Sequence, residues 1–424
     1  MQILAVSYVL LLALTALLCE GLPSTQRAPV LALASLVFYA LGSGWHAVLI
    51  AVLLLSVWLL GRWLAAPSLP PTPALAPAKR LGLALGILVC VAVLAYFKYA
   101  TFFSEALSTP LGWLGLSRAT DAARRPSEVA IPLGISFFTF EFIHYLVDAS
   151  RKRLTADDKG PQPSRTQDLA QFAAFALFFP TLLAGPIKRY QQFHSAPRLL
   201  AEDIAYGLSR IVLGLFKKIA LADSVAGIAL RLAVPDQVTP LGLWLAMYAY
   251  AAQIYFDFSG YSDLAIGAAR LLGYRVPENF DWPYLAADLP SFWRRWHISL
   301  SSWIRDYLYI PLGGNRGSTA RVCVNLVVVM ALCGLWHGPA WHFVIWGVWH
   351  GLGLAATQVW RRGRQGSVDV TAQSSKSPSP PSGWRRGLAI FATFHFVCFG
   401  WLWFAAPSAH AAITAFSRMF YLTR

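Results

Sequence analysis

Uninterrupted apolar stretches about as long as a bilayer is thick recur from one end of this chain to the other. Residues 81–94 run on apolar to 103, and 322–335 and 343–359 repeat the pattern. A helix needs about 20 mostly apolar residues to cross a hydrocarbon core. Only 13% of the residues are charged, where a soluble domain carries about 25%. These blocks exclude a water-soluble enzyme and predict an all-α fold, a polytopic helical bundle in a membrane. Reading the apolar blocks between charged or Pro-rich breaks places spans near 3–19, 29–42, 46–65, 81–103, 130–147, 169–185, 204–221, 240–256, 322–337, 341–359 and 387–405, about ten or eleven in all.

Some of these blocks are interrupted. Residues 131–140 (IPLGISFFTF) and 177–187 (LFFPTLLAGPI) carry Pro and Gly within apolar sequence. Irregular backbone survives at membrane depth only where protein or a water-filled cavity satisfies its polar groups. The interruptions therefore suggest re-entrant segments around an intramembrane chamber. Two stretches read as mobile surface linkers, 66–80 because it is Pro/Ala-rich and 361–386 because it is Ser/Pro/Gly-rich. No internal repeat stands out, and nothing divides the chain into soluble parts, so residues 1–424 read as one membrane domain. The first apolar segment lacks a basic leader and a small-residue cleavage site, and reads as an uncleaved helix.

The net charge is +15, from 35 basic and 20 acidic residues. On a soluble protein such an excess points to nucleic acid. Here the basic clusters, such as Lys188 with Arg189 and Arg385 with Arg386, sit beside apolar spans. Basic residues collect there to fix orientation in the membrane, and a nucleic-acid partner is rejected. The five cysteines all lie in or beside apolar segments with no CxxC pair, which argues for packing and against a disulfide framework or a metal site. No G-x-S-x-G elbow, Walker A loop, H-E-x-x-H or G-x-G-x-x-G is present, so the hydrolase, ATPase, zinc-protease and dinucleotide readings lack support. Nine histidines leave imidazole chemistry open.

The most informative stretch is 288–321, DLPSFWRRWHISLSSWIRDYLYIPLGGNRGSTAR. Pro290 and Ser291 suit a helix start, and the spacing predicts one helix over roughly 291–308. Trp296, Leu300, Trp303 and Tyr307 would form its aromatic stripe, and Arg295, Ser299, Ser302 and Asp306 its polar one, with Arg294, His297, Ser301 and Arg305 between. Such a helix is too polar to span and belongs at the interface or tucked into the protein. Its tryptophans and arginines fit an interfacial anchor. His297 fits that account less well: it sits beside two arginines that would favour the neutral ring, the form a general base needs. The loop that follows, PLGGNRG with Asn315, is either a plain turn or a phosphate cradle.

A second stretch, 334–351 (GLWHGPAWHFVIWGVWHG), sets His337, His342 and His350 in strongly apolar sequence. His337 stands directly before Gly338 and Pro339, a pair that ends a helix. Two readings are open for it: a functional intramembrane histidine, or a ring bonded to a carbonyl freed by the break. His342 and His350 fall inside the next helix and read as packing. Metal ligation is not expected, because no carboxylate or cysteine sits at matching spacing.

Together these segments resemble the membrane-bound O-acyltransferase family, in its bacterial alginate O-acetyltransferase-like branch. PLGISFFTF (132–140), FFPTLLAGPIKRY (178–190), GLFKKIALAD (214–223), YFDFSGYSDLAIG (255–267), FWRRWHISLSSWIRDYLYIPLGGNR (292–316) and GLWHG (334–338) match in order, giving a motif-bearing core over 132–351. The resemblance implies that His337 is the family's near-invariant histidine, the base that deprotonates an accepting hydroxyl. It implies that His297 is the second polar residue, orienting or polarising the reactants. It also implies an acyl-CoA donor, acetyl-CoA above all, with no bound cofactor, and a tunnel that Trp336 would wall or merely pack against. Trp296, Arg294, Arg305, Asp306 and Asn315 would support or bind substrate, with Arg305 and Asp306 matching an RD pair that forms a structural ion pair. One departure lies at 137–148, FFTFEFIHYLVD, where Glu141 and His144 could pair and the acceptor need not be alginate.

The resulting expectation is an acyltransferase of the bacterial inner membrane acting towards an exported or cell-surface glycan, with membrane lipid around it and a periplasmic acyltransferase as partner. A competing class is a secondary transporter or polysaccharide-export channel, with Asp257, Asp263 and Glu141 along an ion path. Within the same family, a teichoic acid D-alanyl transferase would differ in its donor, a carrier-protein thioester.

Overall fold

The computed structural model describes residues 2–66, 75–113, 131–154, 165–193, 199–365 and 383–421. Among these the secondary structure is helical, with one isolated β-bridge between Phe280 and Trp296. Among the described residues four helices are long and apolar enough to cross a membrane, His46–Ala65, Pro77–Phe102, Thr319–His337 and Trp384–Ala405, with Val6–Glu20 a shorter apolar one. The chain falls into two compact units, residues 1–214 with 261–277, and 215–260 with 278–424.

In the first unit the helices are α1 (Gln2–Glu20), α2 (Ser24–Ser43), α3 (His46–Ala65), α4 (Leu75–Trp113), α5 (Ile135–Ser150), α6 (Arg165–Ala176) and α7 (Ala201–Leu215). Helix α3 buries Ile50, Leu54, Val57, Trp58, Gly61 and Leu64, the three-and-four spacing of one helix face. That face and α4 pack on α5, while α2 packs on α6. The linker expected at 66–80 is shorter than foreseen, since α4 starts at Leu75; residues 67–74 lie outside the described residues. Lys79 ties the junction by donating to the carbonyls of Leu64 and Ala66 at the end of α3.

Both Pro/Gly stretches carry non-helical backbone, as foreseen. Gly134 takes a left-handed φ of 69° just ahead of α5, and residues 177–189 leave α6 as turns. Protein satisfies the polar groups there. Lys188 donates to Glu141 at 2.6 Å and to Thr181 at 2.8 Å, all buried. Glu141 therefore pairs with Lys188, and the Nε2 of His144 accepts from the Tyr190 amide, so each group of the foreseen Glu141–His144 pair has a partner elsewhere.

The second unit contains α8 (Asp223–Ala229), most of α9 (Pro240–Leu271), α10 (Leu289–Arg295), α11 (Ile298–Ile304), α12 (Thr319–His337), α13 (Trp341–Gln365), α14 (Trp384–Ala405) and α15 (Ala409–Met419). Helices α12 and α13 form a tight hairpin. A side chain at Gly334 would run into the Phe343 carbonyl, and one at Gly347 into that of Met330, so only glycine permits this backbone approach. Residues 361–365, foreseen as linker, continue α13, and residues 366–382 lie outside the described residues.

The single helix expected over 291–308 is two helices. Helix α10 is capped by Asp288, whose carboxylate accepts from the Ser291 amide, so Asp288 rather than Ser291 is the cap. The chain leaves the helix at Trp296, turns through His297 at a left-handed φ of 44°, and restarts as α11, which passes into a π-helical turn over Arg305–Tyr309. The expected stripes dissolve with the break: Ser299, assigned to a polar face, is buried against Asn279. The break follows from competition for backbone groups, because residues 279–281 pair with both sides of it.

Candidate active site

His337 is the last residue of α12. Gly338 ends the helix in extended backbone, and any side chain there would overlap the Phe343 ring. The Trp-His-Gly sequence is thus a helix end that glycine alone lets fold flat onto α13. The His337 ring is half-buried among aromatic rings, with centroids 4.8 Å from Trp336, 5.1 Å from Trp346 and 5.1 Å from Phe404.

His297 is held from the other side. The Asp281 amide donates to the Arg295 carbonyl and the Ile298 amide to the Asn279 carbonyl, both at 3.0 Å. The Asn279 side chain accepts from Ser299, amide and hydroxyl alike. These bonds clamp the backbone on both flanks of His297 and hold it in a conformation that costs a non-glycine residue about 1–2 kcal/mol. Such outliers persist only where their surroundings over-determine them, and they cluster at functional sites. The imidazole is buried, lies edge-on to Phe258 at 4.6 Å, and its Nδ1 has no hydrogen-bond partner among the described residues.

Burial pushes the His297 imidazole well below its ordinary pKa, and the nearby His337 pushes the same way. It is therefore neutral at neutral pH, as foreseen, but for another reason than its arginine neighbours. Arg294 is exposed and bonds Ser291. An aromatic wall runs between His297 and His337 through Phe258, Phe280, Trp296, Trp401 and Phe404. A neutral imidazole in dry aromatic surroundings can accept a proton from a hydroxyl held against it.

The remaining foreseen residues divide. Trp296 is buried within that wall, and Trp336 packs against His337 at 4.8 Å between ring centroids. Arg294 faces solvent. Arg305 and Asp306 pair with each other at 2.8 Å, largely exposed. Asn315 accepts from the Tyr309 hydroxyl, and its carbonyl accepts from Arg362, which also holds the Gly317 carbonyl. The 311–317 loop is thus a turn whose carbonyls are held by arginine. His342 donates from Nδ1 to the Trp403 carbonyl, as a packed histidine would.

The acids of the transporter reading are paired. Asp257 bonds Lys218 at 2.6 Å, and Asp263 bonds Arg210. Glu141 bonds Lys188. Ion pairs of this kind tie helices together.

Asn279 escaped the sequence reading. Nothing in its spacing couples it to residue 299; only the return of the chain does. His350, expected to pack, is wholly buried among aromatic rings, one turn from Trp346 on the same face of α13.

Residues 83–393 match the family model described as MBOAT, membrane-bound O-acyltransferase family. A probable alginate O-acetylase of Azotobacter vinelandii is 38% identical over 94% of this chain and 73% of its own length. A peptidoglycan O-acetyltransferase of Helicobacter pylori is 33% identical over 80% of this chain and 65% of its own. A teichoic acid D-alanyltransferase of Bacillus subtilis is 30% identical over 66% of this chain and 69% of its own. The chain belongs to the membrane-bound O-acyltransferase family, in the branch of the bacterial alginate O-acetylases, and is an O-acyltransferase.

Proposed function

We propose that this enzyme moves an acyl group, acetyl by this reading, from acetyl-CoA towards hydroxyls of an exported or cell-surface polysaccharide. It works as one multi-pass domain over residues 1–424 in the bacterial inner membrane. The ten or eleven spans and the intramembrane chamber belong to this reading, as does a periplasmic acyltransferase that receives or completes the transfer. The observation that carries it is the continuous run of aromatic ring contacts that links His337 to His297. One ring sits at the end of a membrane-length helix, and the other on strained backbone clamped from both flanks.

His337 takes the proton of the accepting hydroxyl as its oxygen attacks the thioester carbonyl carbon. A C–O bond forms, the C–S bond breaks, and the proton passes to the departing sulfur. His297, held neutral, orients the reactants. General-base assistance of this kind contributes about 10²–10⁴-fold. The acetylase relatives favour acetyl over D-alanyl, since they are 33–40% identical where the D-alanyltransferases are 30%.

The test supplies membranes from expressing cells with radiolabelled acetyl-CoA and counts label fixed in envelope polymer. His337→Ala should lose at least about 100-fold while the protein still inserts. Undiminished transfer in that variant overturns the base assignment. Label accepted only from a carrier-protein thioester would move the donor to the D-alanyl reading.

A further inference from the structure

Trp346 and His350 stand one turn apart on α13, and both are wholly buried. Trp346 lies edge-on to His337, with centroids 5.1 Å apart and planes at 88°. Its ring is also 5.1 Å from His350. Trp293, brought by α10, lies 5.8 Å from Trp346 and 5.2 Å from His350. Three polar rings thus pack on one another directly beside His337.

The polar atoms of these rings are orphaned. Neither the indole N–H of Trp293 nor that of Trp346 has a hydrogen-bond partner among the described residues, and the same holds for both nitrogens of His350; all four atoms are buried. Leaving such a group unpaired is costly, and native proteins hold only a few per hundred residues. Four in one contiguous cluster is a concentration that packing alone does not account for. The contrast with His342 on the same helix, bonded to a carbonyl, is direct.

An indole N–H only donates, so the set selects an acceptor. The Nε2 of His350 lies against Gly400, where even a methyl would come within 2.8 Å, which leaves Nδ1 as its useful nitrogen. Preorganised donors in a dry site stabilise an oxygen on which negative charge develops. We propose that Trp293, Trp346 and His350 form a donor subsite beside His337 that takes the carbonyl oxygen of the acyl thioester and holds it as an oxyanion during transfer.

This rests on the acyl-transfer reading above. As the hydroxyl oxygen adds to the carbonyl carbon, the C=O π pair moves onto the carbonyl oxygen, where the N–H donors meet it. Collapse restores the carbonyl, breaks the C–S bond and sends the electron pair to sulfur. The sulfur takes the proton that His337 removed. No other reactant is needed.

The test measures kcat and KM for acetyl-CoA in membranes carrying the full chain, with Trp346→Phe, Trp293→Phe and His337→Ala side by side. Phenylalanine keeps an apolar aromatic ring, smaller than indole, and removes the N–H donor. Losing one oxyanion donor costs about 10²–10³-fold in kcat, so each Phe variant should fall by that factor with little change in KM. His350→Asn, which keeps a side-chain N–H, should retain more kcat than His350→Phe. Thermal unfolding in detergent, read on the same samples, separates lost chemistry from lost protein, and the two tryptophans provide independent chances of a folded variant. Both Phe variants turning over at the parent rate while His337→Ala is dead would overturn the subsite and leave the acyl-transfer reading standing, the rings then being satisfied by weak N–H···π contacts. Full turnover in His337→Ala would overturn both.

Discussion

The molecule buries polar groups in two regions and treats them differently. In the first unit Glu141 and Lys188 sit 4% exposed and 2.6 Å apart, with Thr181 on the lysine and the rings of Phe175 and Phe178 within 5.6 Å of its charge. Close by in that unit, Gln191 donates to Asp148, and the Tyr190 amide donates to His144. In the second unit His297 Nδ1, both nitrogens of His350 and two indole N–H groups are buried without partners among the described residues, and His297 is strained as well. Paired burial holds irregular backbone in place. Unpaired burial leaves hydrogen-bonding capacity unused, the capacity that the proposed oxyanion subsite draws on.

The hardest blow to this comparison would fall on the first region. Lys188→Met leaves a carboxylate buried alone, and breaking such a pair costs about 3–5 kcal/mol. Folded protein should nearly vanish from detergent extracts in fluorescence-detected size exclusion, and Glu141→Leu with Lys188→Met should recover much of it. If the single variant folds normally and loses only acyl transfer, the Glu141 region belongs to the chemistry and the contrast fails.

A smaller effect sharpens the second region. His297→Gly removes the imidazole and relieves the left-handed strain, whereas His297→Ala keeps the strain, about 1–2 kcal/mol. The glycine variant should therefore unfold at a higher temperature than the alanine variant, while both lose acyl transfer. Parent-level transfer in His297→Gly would remove His297 from the site.

The smallest change is expected at the surface. The Arg305–Asp306 pair is largely exposed, and exposed pairs contribute about 0–1 kcal/mol. Arg305→Ala should leave both melting temperature and label transfer near those of the parent. A many-fold fall in transfer at unchanged stability would bring the exposed pair into the substrate path.

Much of this was legible in one dimension, and the reason differs from element to element. The end of α12 at His337 was readable because Gly338 and Pro339 act on the backbone beside them. The break at His297 was not, because local spacing favours one continuous helix. What defeats that helix is a set of hydrogen bonds to residues 279–281, nearly twenty positions upstream. Likewise Glu141 and His144 suggest a pair by spacing, yet the partners come from Lys188 and Tyr190.

Sequence by itself determined the class: apolar blocks of bilayer length, sparse charge, and a run of motifs spread over 132–351 that mark an O-acyltransferase. Hydrophobicity and helix-ending residues act locally, so they can be read locally. Tertiary structure decided which buried polar groups are satisfied. That property depends on what the rest of the chain brings within about 3 Å of each atom, and it separates the paired residues around Lys188 from the orphaned donors beside His337.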